Sequence, residues 1–555
     1  MSGHDTHGHR AGGHGAEGGD RTAVMALDPK PVRPAPAVSH NALRAQWAMA
    51  RFESVHVLRH PAFLAAVFLY AVLWAYEAFS DGLSGQYPVL QDEDRYSQIP
   101  LLLLAAGALI ATNLAATRMH RHGAQPLYEV LTLPLWRRTL AHLVAALPPA
   151  AVAAVLTAAR IAYDASAPTA VGSPSPAELA TGPVVVLLAG CAGVTLARFT
   201  PSATAGPFAA LLLGALVLAS ALGVRGMKWV GPVGVESEFA APLPTDLMHR
   251  PALPHLAYLA AMTGVLVLLA LVRAGARAVP ARAALVLLAV TAVVVGAVQY
   301  RPLPDDLVAR RASAEKHPGD QQRCRVAGQV TFCAFPEFLG RSEDWQQVTD
   351  GILGRVPAEQ RTGPYAVRQR LFFGGDRDGV TGAPPLQAWA RDDARHGTPG
   401  AVTVGTQWGT DDIGGGEVLA FAVRFADRAV AGPGQEREPT ADMLCRARAV
   451  TVLWLAAQAT PETADALRSL NRRSFGGIAL TTLDSSQALS VNGPEVQVVL
   501  DLLDRPAAEV GDRLKASWSA LADDRTSTTQ AARLLGVSAP ADAEQGSEGT
   551  SCAAR

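Results

Sequence analysis

Residues 100–143 read PLLLLAAGALIATNLAATRMHRHGAQPLYEVLTLPLWRRTLAHL, and this stretch decides the fold class. From Pro100 to Thr117 the run carries no charge. A leucine at the centre of a spanning helix contributes about −0.5 kcal/mol and an arginine costs about +3 kcal/mol, so this run inserts into a bilayer as a helix. The remainder is a basic loop, Arg118 to Arg138, leading into another apolar run. Two spans joined by a short positive loop are the unit from which polytopic membrane proteins are built.

The same unit recurs on both sides. At 1.5 Å rise per residue, about 20 apolar residues cross about 30 Å of hydrocarbon. Seven stretches are expected to do so: Pro61–Phe79, Ile99–Thr117, Leu140–Tyr163, Gly182–Ala197, Ala205–Gly223, His255–Leu271 and Ala283–Tyr300. The composition of the 555 residues agrees, with 17% charged and 49% apolar and a positive mean hydropathy of +0.16, against about 25% charged in soluble proteins. The net charge of −1, from 48 basic and 49 acidic residues, provides no field to draw in nucleic acid, which is not an expected partner. Membrane lipid is.

Within the spans, Asn113 and Arg160 lie toward helix ends, where their side chains are expected to reach the headgroups. Pro148 and Pro149 sit inside the third stretch, remove two amide donors and should kink it. Basic residues are concentrated in alternate loops, from Arg44, Arg51 and Arg59 through Arg118, Arg121, Arg137 and Arg138 to Arg273, Arg277 and Arg282. The positive-inside rule then puts the amino terminus in the cytoplasm and, after seven crossings, the carboxyl half outside the cell membrane. Arg301, Arg310, Arg311 and Lys316 after the last span run against this order, though long translocated domains tolerate such charges.

Residues 1–40, rich in Gly, His and Pro, read as a disordered tail without a signal-peptide core. Residues 41–60 read as an amphipathic helix in the membrane surface, with Leu43, Trp47 and Phe52 near one side. Residues 61–300 are the expected transmembrane domain. Residues 301–540 have ordinary globular composition and form an expected extracytoplasmic α+β domain, and 541–555 read as a disordered tail. In that domain CRVAGQVTFC, Cys324 to Cys333, reads as a hairpin with the two cysteines facing each other. They are either a disulfide, if the compartment is oxidising, or two buried thiols. Cys445, read as part of a helix, and Cys552 show no partner in the sequence. Phe338, Trp345, Val348 and Ile352 mark one expected helix, Met443, Ala447, Val450 and Trp454 another, and AVTVGTQW alternates as a strand.

Catalytic signatures are missing. None of the four lysines is followed by Ser or Thr, so no phosphate-cradling loop is present, and there is neither H-E-x-x-H nor G-x-S-x-G. No enzyme activity, bound cofactor or metal is therefore expected of this chain. The acidic turns Asp376 to Gly379 and Asp411 to Gly414, and the carboxylates Asp92, Glu93, Asp94, Asp392 and Asp393, do not by spacing mark a site.

The loop in the opening stretch carries more. Pro126 to Leu133 reads as a short amphipathic helix with Leu127, Val130 and Leu131 apolar and Glu129 polar, followed by Pro134 and the pair Arg137 and Arg138. Such a helix can fit a cleft on a cytoplasmic partner and pass force to the flanking spans. It can also simply rest on lipid headgroups. The segment resembles the coupling-helix loop of ABC-2 type exporter permeases, where a Glu-bearing short helix precedes a Leu-Pro turn and a basic residue; here these are Glu129, Leu133, Pro134 and Arg137 or Arg138. RFESVHVLRHPAFL, Arg51 to Leu64, likewise resembles that family's surface helix leading into its first span. The resemblance covers roughly Arg51 to Arg273. It implies a permease subunit that pairs with a second permease half and with a separate ATP-binding cassette subunit, ATP being consumed by that partner. The seventh stretch and the large carboxyl-terminal domain depart from the family's six-span plan. A membrane-anchored extracytoplasmic binding or assembly module is the alternative.

Overall fold

The computed structural model describes residues 40–85, 87–123, 133–222, 231–233, 241–361, 363–373, 383–409, 414–432, 443–484, 488–523 and 525–543. Both expected terminal tails fall largely outside them. By contacts the chain divides at Ala45/Gln46, and every element beyond the first helix belongs to the larger unit, Gln46–Arg555.

The amino-terminal half is helical: α1 (His40–Leu58), α2 (Pro61–Gly85), α3 (Leu90–Tyr96), α4 (Leu101–Arg121), α5 (Leu135–Val144), α6 (Leu147–Ala165), α7 (Pro176–Phe199), α8 (Ala205–Ala221), α9 (Ala252–Arg273) and α10 (Val279–Val298). Among the described residues six helical stretches are long and apolar enough to cross a membrane: Pro61–Phe79, Leu90–Arg121, Leu135–Ala165, Pro176–Phe199, Ala252–Arg273 and Val279–Val298. The fifth stretch expected from the sequence forms α8, which is apolar but shorter. Its 17 residues rise about 25 Å.

Small residues let these helices approach closely. A Cβ on Gly107 would meet Ala66 of α2 at 2.9 Å, and one on Gly193 would meet the Leu109 carbonyl and the Thr112 hydroxyl of α4 at 2.3 Å each. Close approach brings polar groups into register: Thr112 Oγ1 donates to Gly190 O at 2.8 Å and Asn113 Nδ2 to Gly193 O at 3.2 Å. Asn113 is fully buried. Its side chain turns inward to a carbonyl across the helix pair rather than outward to the bundle's surface. Arg160, toward the end of α6, pairs with Glu77 at 2.5 Å and Asp164 at 3.2 Å. The expected proline kink is a break: α5 ends at Val144, and Pro148 and Pro149 open α6. A first helical turn has no amide partners to lose, so proline is tolerated there. Val286, Leu287, Val290, Val293 and Val294 of α10 are all more than half exposed, the outward apolar face of a helix solvated by lipid.

The carboxyl-terminal half begins with α11 (Asp305–Lys316) and holds two small sheets. In the first, of order β1-β2-β3-β4, β1 (Arg323–Ala327) and β2 (Val330–Ala334) form an antiparallel hairpin, while β3 (Tyr365–Gln369) and β4 (Val402–Val404) continue in parallel. The second, of order β5-β7-β6, comprises β5 (Met443–Leu444), β6 (Gly477–Leu480) and β7 (Leu489–Asn492). Helices α12 (Ser342–Leu353), α13 (Leu386–Arg395), α14 (Gly414–Ala431), α15 (Arg446–Ala457) and α16 (Pro461–Arg473) surround the sheets, and Gly493–Leu503, Ala507–Ala516, Trp518–Ala522 and Thr528–Leu535 complete the domain. Helix α15 is buried from Ala449 to Ala457; a helix apolar on every face belongs at the centre.

At three places the local structure differs from the sequence expectation. Phe338 lies in a 3-10 turn, Pro336–Arg341, ahead of α12. Met443 belongs to β5 rather than to the α15 stripe. Cys445 is extended at the amino-terminal cap of α15 and is disulfide-bonded.

Cys324 and Cys333 stand opposite each other in the hairpin register and form a disulfide. Gly328 turns the hairpin at φ +57°, a conformation that side chains disfavour. Closing so short a loop stabilises by about 2 to 3 kcal/mol. Cys324→Ser together with Cys333→Ser should lower the melting temperature by several degrees in thermal unfolding under oxidising conditions, and an unchanged melting temperature would remove this bridge from the stability of the domain.

Candidate functional site

Two regions at opposite ends of the helix bundle gather charged side chains. The first surrounds the loop after α4. Of the expected coupling residues, Leu127 and Glu129 lie outside the described residues, whereas Leu133, Pro134, Arg137 and Arg138 are described. Pro134 caps α5 in extended conformation, and Arg138 Nε donates to Leu133 O at 2.8 Å, fixing the loop's exit. The Arg137 guanidinium lies 5.1 Å from the Trp136 ring centroid.

The residue that ties this region together does not stand out in the sequence. Glu53 of α1 is 1% exposed and binds Arg118 Nη2 of α4 at 2.5 Å, with His142 Nδ1 of α5 at 3.8 Å. Burial pushes its carboxyl up and the Arg118 guanidinium opposes that shift. Ala50, Glu53 and Val57 form the buried stripe of α1, while Trp47 and Phe52 face outward. The spacing i, i+3, i+7 is the signal that could reveal the stripe, but the larger apolar residues on the lipid side mask it. Through Glu53 the surface helix is ion-paired to α4 on one flank of the loop, while buried His142 of α5 stands 3.8 Å away, beyond hydrogen-bond reach.

At the other end the loops after α2, after α6 and before α9 meet. Leu90 N donates to Val171 O at 2.9 Å and Val171 N to Pro88 O at 3.1 Å. Arg250 binds Asp92, the Gln91 carbonyl and, at 3.3 Å, the fully buried Asp94. Glu178 binds Arg95 at 3.2 Å and Gln98 at 2.7 Å. The carboxyl-terminal domain sits on these same loops. Glu337 Oε2 accepts from Gln91 Nε2 at 3.3 Å and Thr245 N at 3.0 Å, Arg341 Nη2 donates to Tyr87 O at 2.6 Å, and Arg311 Nε donates to Leu247 O at 2.8 Å. The carboxylates Asp92 and Asp94 are thus structural clamps.

Helix α8 joins the two ends. A Cβ on Gly206, near its start, would lie 3.1 Å from the Asn113 side chain; near its finish Ser220 lies beside Gly231. Pro232 O in turn contacts His255 Nε2 of α9 at 3.3 Å, and His255 Nδ1 contacts Gln299 after α10 at 2.8 Å.

In the carboxyl-terminal domain, ligand atoms of Asp320, Asp392 and His396 lie within 4.8 Å of one another. Asp392 already accepts from Gly319 N at 2.8 Å and from Arg395 at 2.9 Å, so this group fastens α13 to the turn after α11. Asp393 faces inward to Arg368 at 3.0 Å and Arg370 at 2.6 Å. Asp376 to Gly379 and Asp411 to Ile413 lie outside the described residues.

The architecture is that of a multi-pass α-helical membrane protein with a carboxyl-terminal domain containing small sheets. Compared with protein-family models, curated proteins and solved structures, the chain matches none.

Proposed function

We propose that this chain is the membrane permease subunit of an ABC-type exporter, driven by a separate cytoplasmic ATP-binding subunit and paired with a second permease half. The observation that carries the reading is the ion pair of Glu53 with Arg118, beside which buried His142 of α5 stands at 3.8 Å. It ties α1 to the end of α4, next to the last turn of α5, at the loop whose sequence resembles a coupling helix. A push on that loop would be passed to two spans at once, as a coupling element requires.

In this reading the chain crosses the membrane seven times, α8 included. Support comes from the contacts of the carboxyl-terminal domain with all three loops at one end. Leaving α8 out of the count would put the segment before α9 at the opposite end from the loops after α2 and α6, yet Arg250 and Gln91 join them. The amino terminus is then cytoplasmic and the carboxyl-terminal domain extracytoplasmic, where the Cys324–Cys333 disulfide is at home.

Glu129→Ala with Arg137→Ala should leave the chain inserted in the membrane but abolish stimulation of its partner's ATP hydrolysis and recovery of that ATPase with the chain in detergent. Unchanged ATPase recovery and export would remove the coupling assignment. The anchored-module reading draws on the seating of the carboxyl-terminal domain on the loops; it predicts that no ATPase accompanies the chain. A tag after Arg555 that external protease cleaves in intact cells checks the topology of either.

A further inference from the structure

A cleft of about 410 Å³ lies where the loops meet the carboxyl-terminal domain. Tyr87 and the segment 168–171 line it from the loops; Glu343, Asp344, Trp408 and Glu462 line it from the domain. This is the size and the place, at a junction between structural units, in which small-molecule sites occur.

Its chemistry is one-sided. Among the described residues no ion pair or hydrogen bond engages the carboxylates of Glu343, Asp344 or Glu462. Among the described residues the guanidinium facing Asp344 is that of Arg341, which is buried, committed to Thr406 O at 3.1 Å and Tyr87 O at 2.6 Å, and 5.8 Å from the centroid of the Tyr87 ring on one side, leaving the cation-binding role to the other ring faces. Three carboxylates against one committed cation leave the cleft negative. Burial pushes Asp344 up to about 6, Arg341 opposing and Glu343 adding to the shift, and pushes Tyr87 up to about 12, with Asp344 and Glu462 adding. The rings of Tyr87 and Trp408 both line the cleft. Aromatic faces attract cations by about 0.5 to 2 kcal/mol. Val171, Val348 and Val418 supply apolar lining.

A metal ion would need these oxygens to converge. Among the described residues three metal-competent groups lie within 4.8 Å of one another at Asp320, Asp392 and His396, and not in the cleft. Spread carboxylates, aromatic rings in the wall and an apolar lining suit a larger, softer cation.

We propose that the cleft binds a small amphiphilic organic cation, an ammonium group on a hydrocarbon or aromatic body, with the charge held by Tyr87, Trp408 and the three carboxylates. Binding requires only this chain, so it stands or falls separately from the exporter reading. The test is calorimetric titration of the full chain in maltoside detergent with benzyltrimethylammonium, and with benzenesulfonate as an anion of similar size. The cation should bind saturably with a stoichiometry near one and the anion should not. Glu343 and Glu462 are exposed, so Glu343→Gln with Glu462→Gln should melt as the native chain does and bind the cation at least tenfold more weakly. Tyr87→Leu should weaken binding severalfold, and Asp344→Asn serves if the double variant melts lower. No saturable binding of the cation, equal binding of benzenesulfonate, or full affinity in the charge-removed variants would each overturn the assignment. Stoichiometric displacement by millimolar calcium would overturn it too, in favour of a metal site.

Discussion

Gly193→Leu should cost about 2 to 4 kcal/mol and most of the yield of folded chain in detergent, because it wedges apart the two helices at the centre of the bundle. The clash is with backbone: a Cβ at 193 falls 2.3 Å from the Leu109 carbonyl oxygen and 3.1 Å from the Asn113 nitrogen. A backbone cannot rotate aside as a flexible side chain can. Relief requires α4 and α7 to separate, which lengthens the bonds from Thr112 to Gly190 and from Asn113 to Gly193. Buried polar groups in lipid then have no water to turn to. Gly214 of α8 provides the control, since nothing lies within 4 Å of its Cβ position; Gly214→Leu should melt within a degree of the native chain. Equal melting temperatures for the two variants would show that α4 and α7 are not in this contact.

Asp393→Ala should destabilise the carboxyl-terminal domain by about 3 to 5 kcal/mol, the penalty for leaving buried charge unpaired. The carboxylate bridges Arg368 and Arg370, which are 0% and 2% exposed. Arg368 also reaches Gln322 and Thr398 at 2.8 and 2.7 Å, and the Arg370 guanidinium stacks 4.7 Å from the Trp389 ring. Removing the anion that bridges them leaves two like charges facing each other out of water, with Asp484 acting on Arg370 alone. The exposed pair Arg310 and Asp306, 52% and 68% accessible, sets the scale: Asp306→Ala should change stability by at most about 0.5 kcal/mol. Thermal unfolding of the variants, read by protease susceptibility after Arg301, checks both numbers. A stable Asp393→Ala domain would mean that water or another anion reaches the two arginines.

The parts of this fold legible in the sequence are those whose physics is local. Apolar length marks the spans, and hairpin register follows from a short turn and alternating residues, so Cys324 and Cys333 can be aligned by reading along the chain. Contact at a distance is not legible in this way. Asn113 reads as a headgroup residue because its partner, the Gly193 carbonyl, is 80 residues away. Pro148 and Pro149 read as interior kinks because the helix break before them has no residue signature of its own. In the candidate coupling region the exit residues Leu133, Pro134, Arg137 and Arg138 are legible, while Glu53, which ties the region to the surface helix, reads like any polar residue of an amphipathic segment.

That this chain has a membrane half and a globular half follows from its residues taken one at a time, because transfer free energies add along the chain and need no knowledge of neighbours. That Glu53 pairs with Arg118 at the loop, that Arg250 clamps Asp92 and Asp94, and that the globular half closes a cleft over the loops became visible only in three dimensions. Those are pairings between groups dozens to hundreds of residues apart, and their energies exist only once folding has removed the water between them.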